Sequence, residues 1–211
     1  MIKNICNITI VMSLWIACQS QAQPPSATAL SITPVIPVEK EICTRFYAPF
    51  ADSDRQQYAV IKNRIISRYG DYRSSAIKGH RHAGIDLRGE CGEPVYAIGI
   101  GTVVDIFRGF PNRTVVVKHY LSAGDSVYSE YTHIEDVRVK SGERVDQNTC
   151  LGRIFNAEEL QRSNFNTFSH LHLEFRKSLA DSGKASWQSL TMAELNKYCL
   201  DPTVLLPKYL K

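Results

Sequence analysis

The chain has 211 residues, of which 44% are hydrophobic and 22% are charged, and its formal net charge is +4. These values are ordinary for one globular domain that is long enough to bury a core without a partner. The small positive charge suits ordinary solubility or an anionic envelope surface, and we expect no nucleic-acid partner. The six cysteines include no C-x-x-C pair, which argues against a four-thiolate zinc site.

The first 22 residues have the composition of a secretion signal. Lys3 precedes an apolar run at 8–18, and residues 20–22 provide small side chains at a cleavage point. The run is shorter than the roughly 20 apolar residues of a membrane span. We therefore predict a signal peptide at 1–22 and a periplasmic or secreted bacterial protein with no membrane span. The alternative is a lipoprotein signal in which Cys18 accepts a lipid anchor.

Cleavage after Ala22 would leave four cysteines, an even number that suits disulfides outside the cytosol. Three pairings are possible. We predict that Cys43 pairs with Cys199 and that Cys91 pairs with Cys150.

The segment that follows the predicted signal is rich in proline. Residues 23–40 contain four prolines among small residues, which favours an extended linker. The folded domain is therefore expected at 41–211, with its core motifs at about 65–177.

Helices are predicted at two places in the folded domain. The first candidate is 52–64. The second is 191–198, where Thr191 and Glu194 have the spacing of a capping box. Asp201 followed by Pro202 is a further helix start.

From residue 65 onward, most of the chain has the pattern of a β protein. Short runs rich in Val, Ile, Tyr and Thr are separated by Gly, Asn, Asp and Ser. The clearest runs are 101–107, 114–120, 127–133 and 170–175. Turn sequences at 109–112 and 122–125 join the first three runs, so we expect an antiparallel meander.

The run that begins at His170 carries two neighbouring histidines. Alternate side chains of a strand share a face. One face therefore holds His170, His172, Glu174 and Arg176, and the other holds Leu171, Leu173 and Phe175. Two adjacent imidazoles can bind a divalent metal, and a neighbouring carboxylate can orient one of the rings. The alternative is the ordinary polar face of an amphipathic strand.

A second histidine motif contains His82, Gly84 and Asp86, which would lie on one face of a strand. A straight strand would separate the first and last Cα atoms by roughly 13 Å. Shared ligation therefore requires a bend, which Gly84 allows. The alternative is a loop histidine beside a turn aspartate. His133, which ends the run 127–133, is a third candidate.

Taken together, these motifs resemble peptidase family M23 of the lysostaphin/LytM type. The resemblance rests on 66–70, 82–86, 92–97, 101–104, 131–134, 139–145, 151–152 and 170–174, taken in chain order. It covers about residues 65–177, with a family-like Asp201-Pro202 near the end. It implies a mainly β fold, with an antiparallel β-sheet groove and a few short peripheral helices.

By this resemblance, His82, Asp86 and His172 are the ligands of one zinc ion per chain. His133 and His170 are the catalytic pair. Catalytic zinc sites typically use three protein ligands and leave a fourth position for water, whose pKa zinc lowers to about 7. His170 would act as general base toward the water, and His133 would donate to the oxyanion.

His80 and His119 are weaker candidates for the metal site. His80 is a competing ligand that does not match the motif, and His119 is expected to be structural. The family usually has glycines before His-x-His, where this chain has 164–169. That segment should line the groove, so substrate preference is not carried over.

The implied activity is that of a zinc metalloendopeptidase that hydrolyses peptide bonds in peptidoglycan cross-bridges or stem peptides. We expect the enzyme to act as a monomer. One alternative is a catalytically silent LytM-type regulator of a cell-wall amidase, but such relatives lose ligands that this chain keeps. Another is a secreted protease that acts on proteins.

Overall fold

The computed structural model describes residues 40–74, 79–122, 124–163, 168–179 and 189–211. The predicted signal peptide, nearly all of the predicted linker and most of the groove segment 164–169 lie outside these residues. The described residues all fall in one unit, Glu39–Lys211. None of their helices is long and apolar enough to cross a membrane.

Short strands make up most of the regular structure. They are β1 (Ile65–Ser67), β2 (Tyr72–Arg73), β3 (His80–Arg81), β4 (Gly84–Arg88), β5 (Pro94–Tyr96), β6 (Gly101–Phe107), β7 (Thr114–Tyr120), β8 (Ser126–Thr132), β9 (Ile134–Glu135), β10 (Arg144–Val145), β11 (Cys150–Ile154), β12 (His170–Arg176) and β13 (Cys199–Leu200). The helices are α1 (Tyr58–Arg64), α2 (Ala157–Arg162), α3 (Met192–Tyr198) and α4 (Pro202–Leu205), followed by a 3-10 turn at Leu206–Lys208.

The strands form three antiparallel sheets. The largest has the order β1-β4-β12-β8-β7-β6-β10, and β13 pairs with the end of β12. A second sheet has the order β5-β11-β9, and β2 pairs with β3 in a hairpin. The predicted fold class, mainly antiparallel β with a few short helices, is confirmed.

The predicted meander is β6-β7-β8. β7 and β8 pair without a break from Thr114 opposite Thr132 to Tyr120 opposite Ser126. The β-branched residues of β7 suit this half-buried pleated surface. Val115 and Val117 are fully buried, and each contributes roughly 1.5–3 kcal/mol when it leaves water.

Two helices differ from the sequence prediction. The helix predicted at 52–64 begins only at Tyr58. Arg55 explains the difference, because its guanidinium hydrogen-bonds to the carbonyls of Ala48 and Gln147 and holds the preceding turn in an irregular conformation. Sequence analysis missed α2, although Asn156 and Glu159 form a complete capping box there.

The other two helix starts are confirmed. Thr191 accepts from the backbone of Glu194, and the Glu194 side chain returns the hydrogen bond. Asp201 caps α4, whose first residue is Pro202.

Both predicted disulfides are wrong for this structure, in which all four described cysteines are free thiols. Cys43 packs in the main core, whereas Cys199 lies in a separate small cluster and donates to Glu174 Oε1 at 3.3 Å. Cys91 is exposed, and Cys150 donates to the carbonyl of its own strand neighbour. Spacing along the chain does not report the distance between thiols, which depends on how the strands pair.

Candidate metal centre and catalytic histidines

The pairing of β4 with β12 sets the frame of the site. Asp86 is the Cα partner of His172, and Arg88 is the partner of His170. Residues directly opposite in an antiparallel pair share a face of the sheet. Asp86, His170 and His172 therefore lie side by side, and Asp86 and His172 are buried.

His82 joins this face from outside the strand. β4 begins at Gly84. The prediction that one strand carries His82, Gly84 and Asp86 is therefore wrong for His82, which precedes the strand. The backbone of His82 instead donates to Asp71 and accepts from Gly70. A Cβ at Gly84 would lie 2.3 Å from a carbonyl oxygen of β12, so glycine permits this close approach of the two strands.

Three side-chain atoms converge at the centre of the site. His82 Nε2 lies 3.0 Å from Asp86 Oδ1 and 2.9 Å from His172 Nδ1, and His172 Nδ1 lies 3.1 Å from Asp86 Oδ1. Within the part of the chain that the structure describes, this trio is the group whose geometry can hold a metal ion. His80, the competing candidate, is buried in β3 and does not belong to it.

The outer nitrogens of both rings bond to acceptors. His82 Nδ1 donates to the carbonyl of Arg68 at 2.8 Å, and His172 Nε2 donates to Glu174 Oε2 at 3.3 Å. Each ring can then turn an unprotonated nitrogen toward Asp86 Oδ1. Two ligands of a tetrahedral zinc lie about 3.3 Å apart, close to the separations seen here. The donor set and its spacing fit zinc.

The electrostatics of the trio also favour a cation. Burial raises the pKa of Asp86, but its contacts with His172 and His82 outweigh it and hold the pKa well below its ordinary value. Burial lowers the pKa of His172, but the hydrogen bonds and charges of Asp86 and Glu174 raise it to about 9. The buried carboxylates of Asp86 and Glu174 therefore favour positive charge between them. Either a proton on His172 or a metal ion supplies it.

Arg73 also contacts the trio, and sequence analysis missed it. Its Nη2 forms a salt bridge with Asp86 Oδ2 and donates to Ser67 Oγ at 2.8 Å. Asp86 Oδ1 is thereby directed to the histidines and Oδ2 to the guanidinium. Arg73 reaches the site through the β2–β3 hairpin, so no local spacing in the sequence relates it to Asp86.

The predicted catalytic histidines lie next to the trio. The ring centroids of His133 and His170 are 5.0 Å apart, and His170 Nε2 lies 4.0 Å from Asp86 Oδ1. His133 has a φ of 68°, a left-handed conformation that is unusual for a residue other than glycine. Such strain concentrates at functional sites. The structure therefore brings together all five site residues that the sequence predicted.

Hydrogen bonds determine which nitrogen of each of these two histidine rings carries the proton. His133 Nδ1 lies 2.9 Å from the carbonyl of Pro111, and His170 Nδ1 lies 2.8 Å from the carbonyl of Phe168. A carbonyl only accepts, so each Nδ1 is protonated and each Nε2 is the acceptor in the neutral ring. Burial, followed by the charge of His170, lowers the pKa of His133 to about 3.

A buried ion-pair network continues along the same face of β12. Arg176 Nε contacts Glu174 Oε1 at 2.8 Å and Glu130 Oε1 at 2.9 Å. Burial raises the pKa of Glu174, but the hydrogen bond from His172 and the charge of Arg176 bring it to about 2. Burial and the charge of Glu174 raise the pKa of Glu130 to about 8.

His119 has the environment of a structural residue, as expected. It is fully buried, and its two nitrogens bond to the carbonyl of Ile100 and to Ser129 Oγ, each at 2.8 Å. Burial lowers its pKa to about 4.

The sequence model of peptidase family M23 matches residues 80–186, just over half of the chain. The chain belongs to peptidase family M23. The matched range contains all five predicted site residues. No curated protein sequence matches this M23 family member.

Solved structures of similar fold include LytU, with 23% identity and a TM-score of 0.50 over 69% of this chain and 85% of that one. The catalytic domain of lysostaphin from Staphylococcus simulans has 20% identity and a TM-score of 0.51 over 72% and 98%. The protein cbpa from L. salivarius REN has 20% identity and a TM-score of 0.51 over 78% and 95%. At these identities the similarity shows a shared fold.

Proposed function

We propose that this M23 family member is a zinc-dependent endopeptidase that cuts peptide bonds in peptidoglycan cross-bridges or stem peptides. It would act as a monomer in the periplasm or outside the cell, after loss of residues 1–22 or with a lipid anchor at Cys18. The observation that supports the activity is the convergence of His82, Asp86 and His172, with two further histidines beside them.

His82 Nε2, Asp86 Oδ1 and His172 Nδ1 would hold the zinc ion. Three protein ligands of this kind are typical of catalytic zinc sites. When bound, zinc would polarise the scissile carbonyl and lower the pKa of water at its open position. Arg73 would hold the second oxygen of Asp86 away from the metal, and Glu174 would keep His172 in its orientation.

His170 would be the general base. Its Nδ1–H bonds to a backbone carbonyl, so Nε2 is free of a proton in the neutral ring and faces the site. Nε2 takes one proton from the attacking water as the C–O bond forms. The imidazolium then gives this proton to the leaving amine as the C–N bond breaks.

His133 would stabilise the oxyanion. Donation from Nε2 requires the imidazolium form, since Nδ1 already donates to Pro111. Burial disfavours that form in the free protein. A developing negative charge beside the ring reverses this preference, so His133 would hold its proton most strongly when the oxyanion forms.

Digestion of purified peptidoglycan would test this function. The chain from residue 23 is loaded with zinc, and the released fragments are analysed by mass, with a chelated sample and a His170→Ala variant as controls. We expect new amino termini from the zinc-loaded protein alone. Folded, zinc-loaded protein that releases nothing would contradict the proposal and favour the amidase regulator. Cleavage of glycine-rich proteins but not of peptidoglycan would favour the secreted protease.

A further inference from the structure

Two arginines that lie on aromatic rings flank the catalytic histidines. Arg88, at the end of β4, is the Cα partner of His170 and so lies on the same face of the sheet. Its guanidinium carbon is 4.1 Å from the centroid of the Phe168 ring. Both Arg88 and Phe168 are exposed. The ring holds the guanidinium in place beside His170 while leaving its N–H groups open to solvent.

A similar arrangement extends from His133. The ring of Phe155 packs 5.9 Å from that of His133, and Phe110 packs 5.3 Å from Phe155. The guanidinium carbon of Arg162, at the end of α2, lies 4.6 Å from the centroid of Phe110. A chain of ring contacts, edge-on between His133 and Phe155 and tilted between Phe155 and Phe110, therefore leads from His133 to a second exposed arginine.

These two arginines are among the eight in the described part of the chain that form no salt bridge to a carboxylate. Salt bridges to carboxylates occupy Arg64, Arg73, Arg113, Arg144, Arg153 and Arg176. Among the described residues, neither Arg88 nor Arg162 forms such a bridge. A guanidinium that is already oriented by an aromatic ring loses little freedom when it binds a planar anion through two parallel hydrogen bonds.

We propose that Arg88 and Arg162 bind carboxylate groups of the substrate on the two sides of the histidine pair. The peptide that is cut then carries free acidic groups near the scissile bond, as stem peptides do, and is not an uncharged glycine bridge. This inference rests on the proposed endopeptidase function and adds the chemical class of its substrate.

The test compares two forms of one substrate. Purified peptidoglycan with free carboxyl groups is one, and the same material after conversion of these groups to amides with carbodiimide and ammonia is the other. Initial rates of amino-group release are measured over a range of substrate concentrations for zinc-loaded wild type, Arg88→Gln and Arg162→Gln. Arg144→Gln is the matched control, since Arg144 is an exposed arginine on β10, at the opposite edge of the main sheet from Arg88.

We expect wild-type kcat/KM to be about tenfold lower on the amidated substrate. Arg88→Gln and Arg162→Gln should each lower kcat/KM on the native substrate by about tenfold, mainly through KM, and should change it little on the amidated one. Arg88→Lys, which keeps the charge and loses the two-pronged geometry, should lie between wild type and Arg88→Gln. Arg144→Gln should match wild type on both substrates.

Three results would separate the possible failures. Equal wild-type rates on the two substrates would overturn the carboxylate inference and leave the endopeptidase function standing. If Arg88→Gln or Arg162→Gln kept the full wild-type preference for the native over the amidated substrate, the substituted arginine would not bind a substrate carboxylate. Cleavage of neither substrate by folded, zinc-loaded wild type would instead overturn the proposed function itself.

Discussion

The polar face of β12 carries two groups of buried charge. We call the group of His172 with His82 and Asp86 the histidine half, and the group of Arg176 with Glu174 and Glu130 the ion-pair half. In the second half, Arg176 contacts both Glu174 and Glu130, so the chain supplies the charges of both signs. In the first half, acceptor atoms of His82, Asp86 and His172 converge within 3.1 Å of one another. A buried charge destabilises a fold unless it is paired, and in the histidine half Arg73 together with either a proton on His172 or a metal ion supplies the positive charge.

The two halves of this face therefore have different expected roles, one in the stability of the fold and one in catalysis. The ion-pair half, whose positive and negative charges both come from its own side chains, can stabilise the fold with or without a bound metal ion. The half in which a metal ion can take the place of the proton on His172 is the one that we propose for catalysis. Glu174 links the two halves, because it accepts from His172 through Oε2 and from Arg176 through Oε1.

The largest effects should come from the histidine half. Asp86→Ala or His172→Ala should abolish zinc binding and turnover, since each removes one of three ligands. His170→Ala should keep the zinc and lower kcat by roughly 10²–10⁴-fold, the usual contribution of a general base. Metal analysis of the purified variants, together with peptidoglycan digestion, measures both quantities. A zinc-free His170→Ala protein would contradict this division of roles.

The ion-pair half should respond through stability. Arg176→Met should lower the free energy of unfolding by about 3–5 kcal/mol, because it leaves the buried Glu174 carboxylate without its positive partner. Arg144→Met is the control, and its exposed pair with Glu41 should contribute less than about 1 kcal/mol. Denaturant unfolding of the two variants measures the difference. Equal losses would show that the buried network has no special structural role.

Arg73 should affect metal affinity more than folding. Arg73→Gln should weaken zinc binding by roughly 10–100-fold, the usual effect of losing a group that orients a ligand. Arg81→Gln, on the neighbouring strand of the same hairpin, should leave zinc affinity unchanged. Competition with a chromophoric chelator gives the two dissociation constants. A loss of thermal stability without a change in affinity would assign Arg73 a structural role alone.

The last prediction concerns pH. The folded state raises the pKa of Glu130 to about 8, so it keeps a proton that the unfolded chain releases above its ordinary pKa of 4.5. Stability should therefore fall as pH rises from about 4.5 to 8. Glu130→Gln cannot ionise, so it should be more stable than wild type at pH 8 and similar to it at pH 5. Thermal unfolding at both pH values measures this. A wild-type advantage at pH 8 would mean that Glu130 is ionised and paired in the fold.

Much of the fold could be predicted because its signals are local. The alternation along 170–175 places Leu171, Leu173 and Phe175 in the core, as observed. The turn sequences beside β7 allow only short connections, so the antiparallel meander follows from them. The helix at 52–64 was predicted too long because local propensity does not register the tertiary contacts of Arg55.

The sequence by itself determined the histidine and aspartate motifs, their order and the strand that carries His170 and His172, since period-two alternation and motif spacing are properties of the chain alone. Tertiary structure decided that His82 enters from outside β4, that Arg73 contacts Asp86, and that Glu130 shares Arg176 with Glu174. It also decided that the thiols stay unpaired. Each of these depends on which distant strands become neighbours, and strand pairing is set by the packing of the whole sheet.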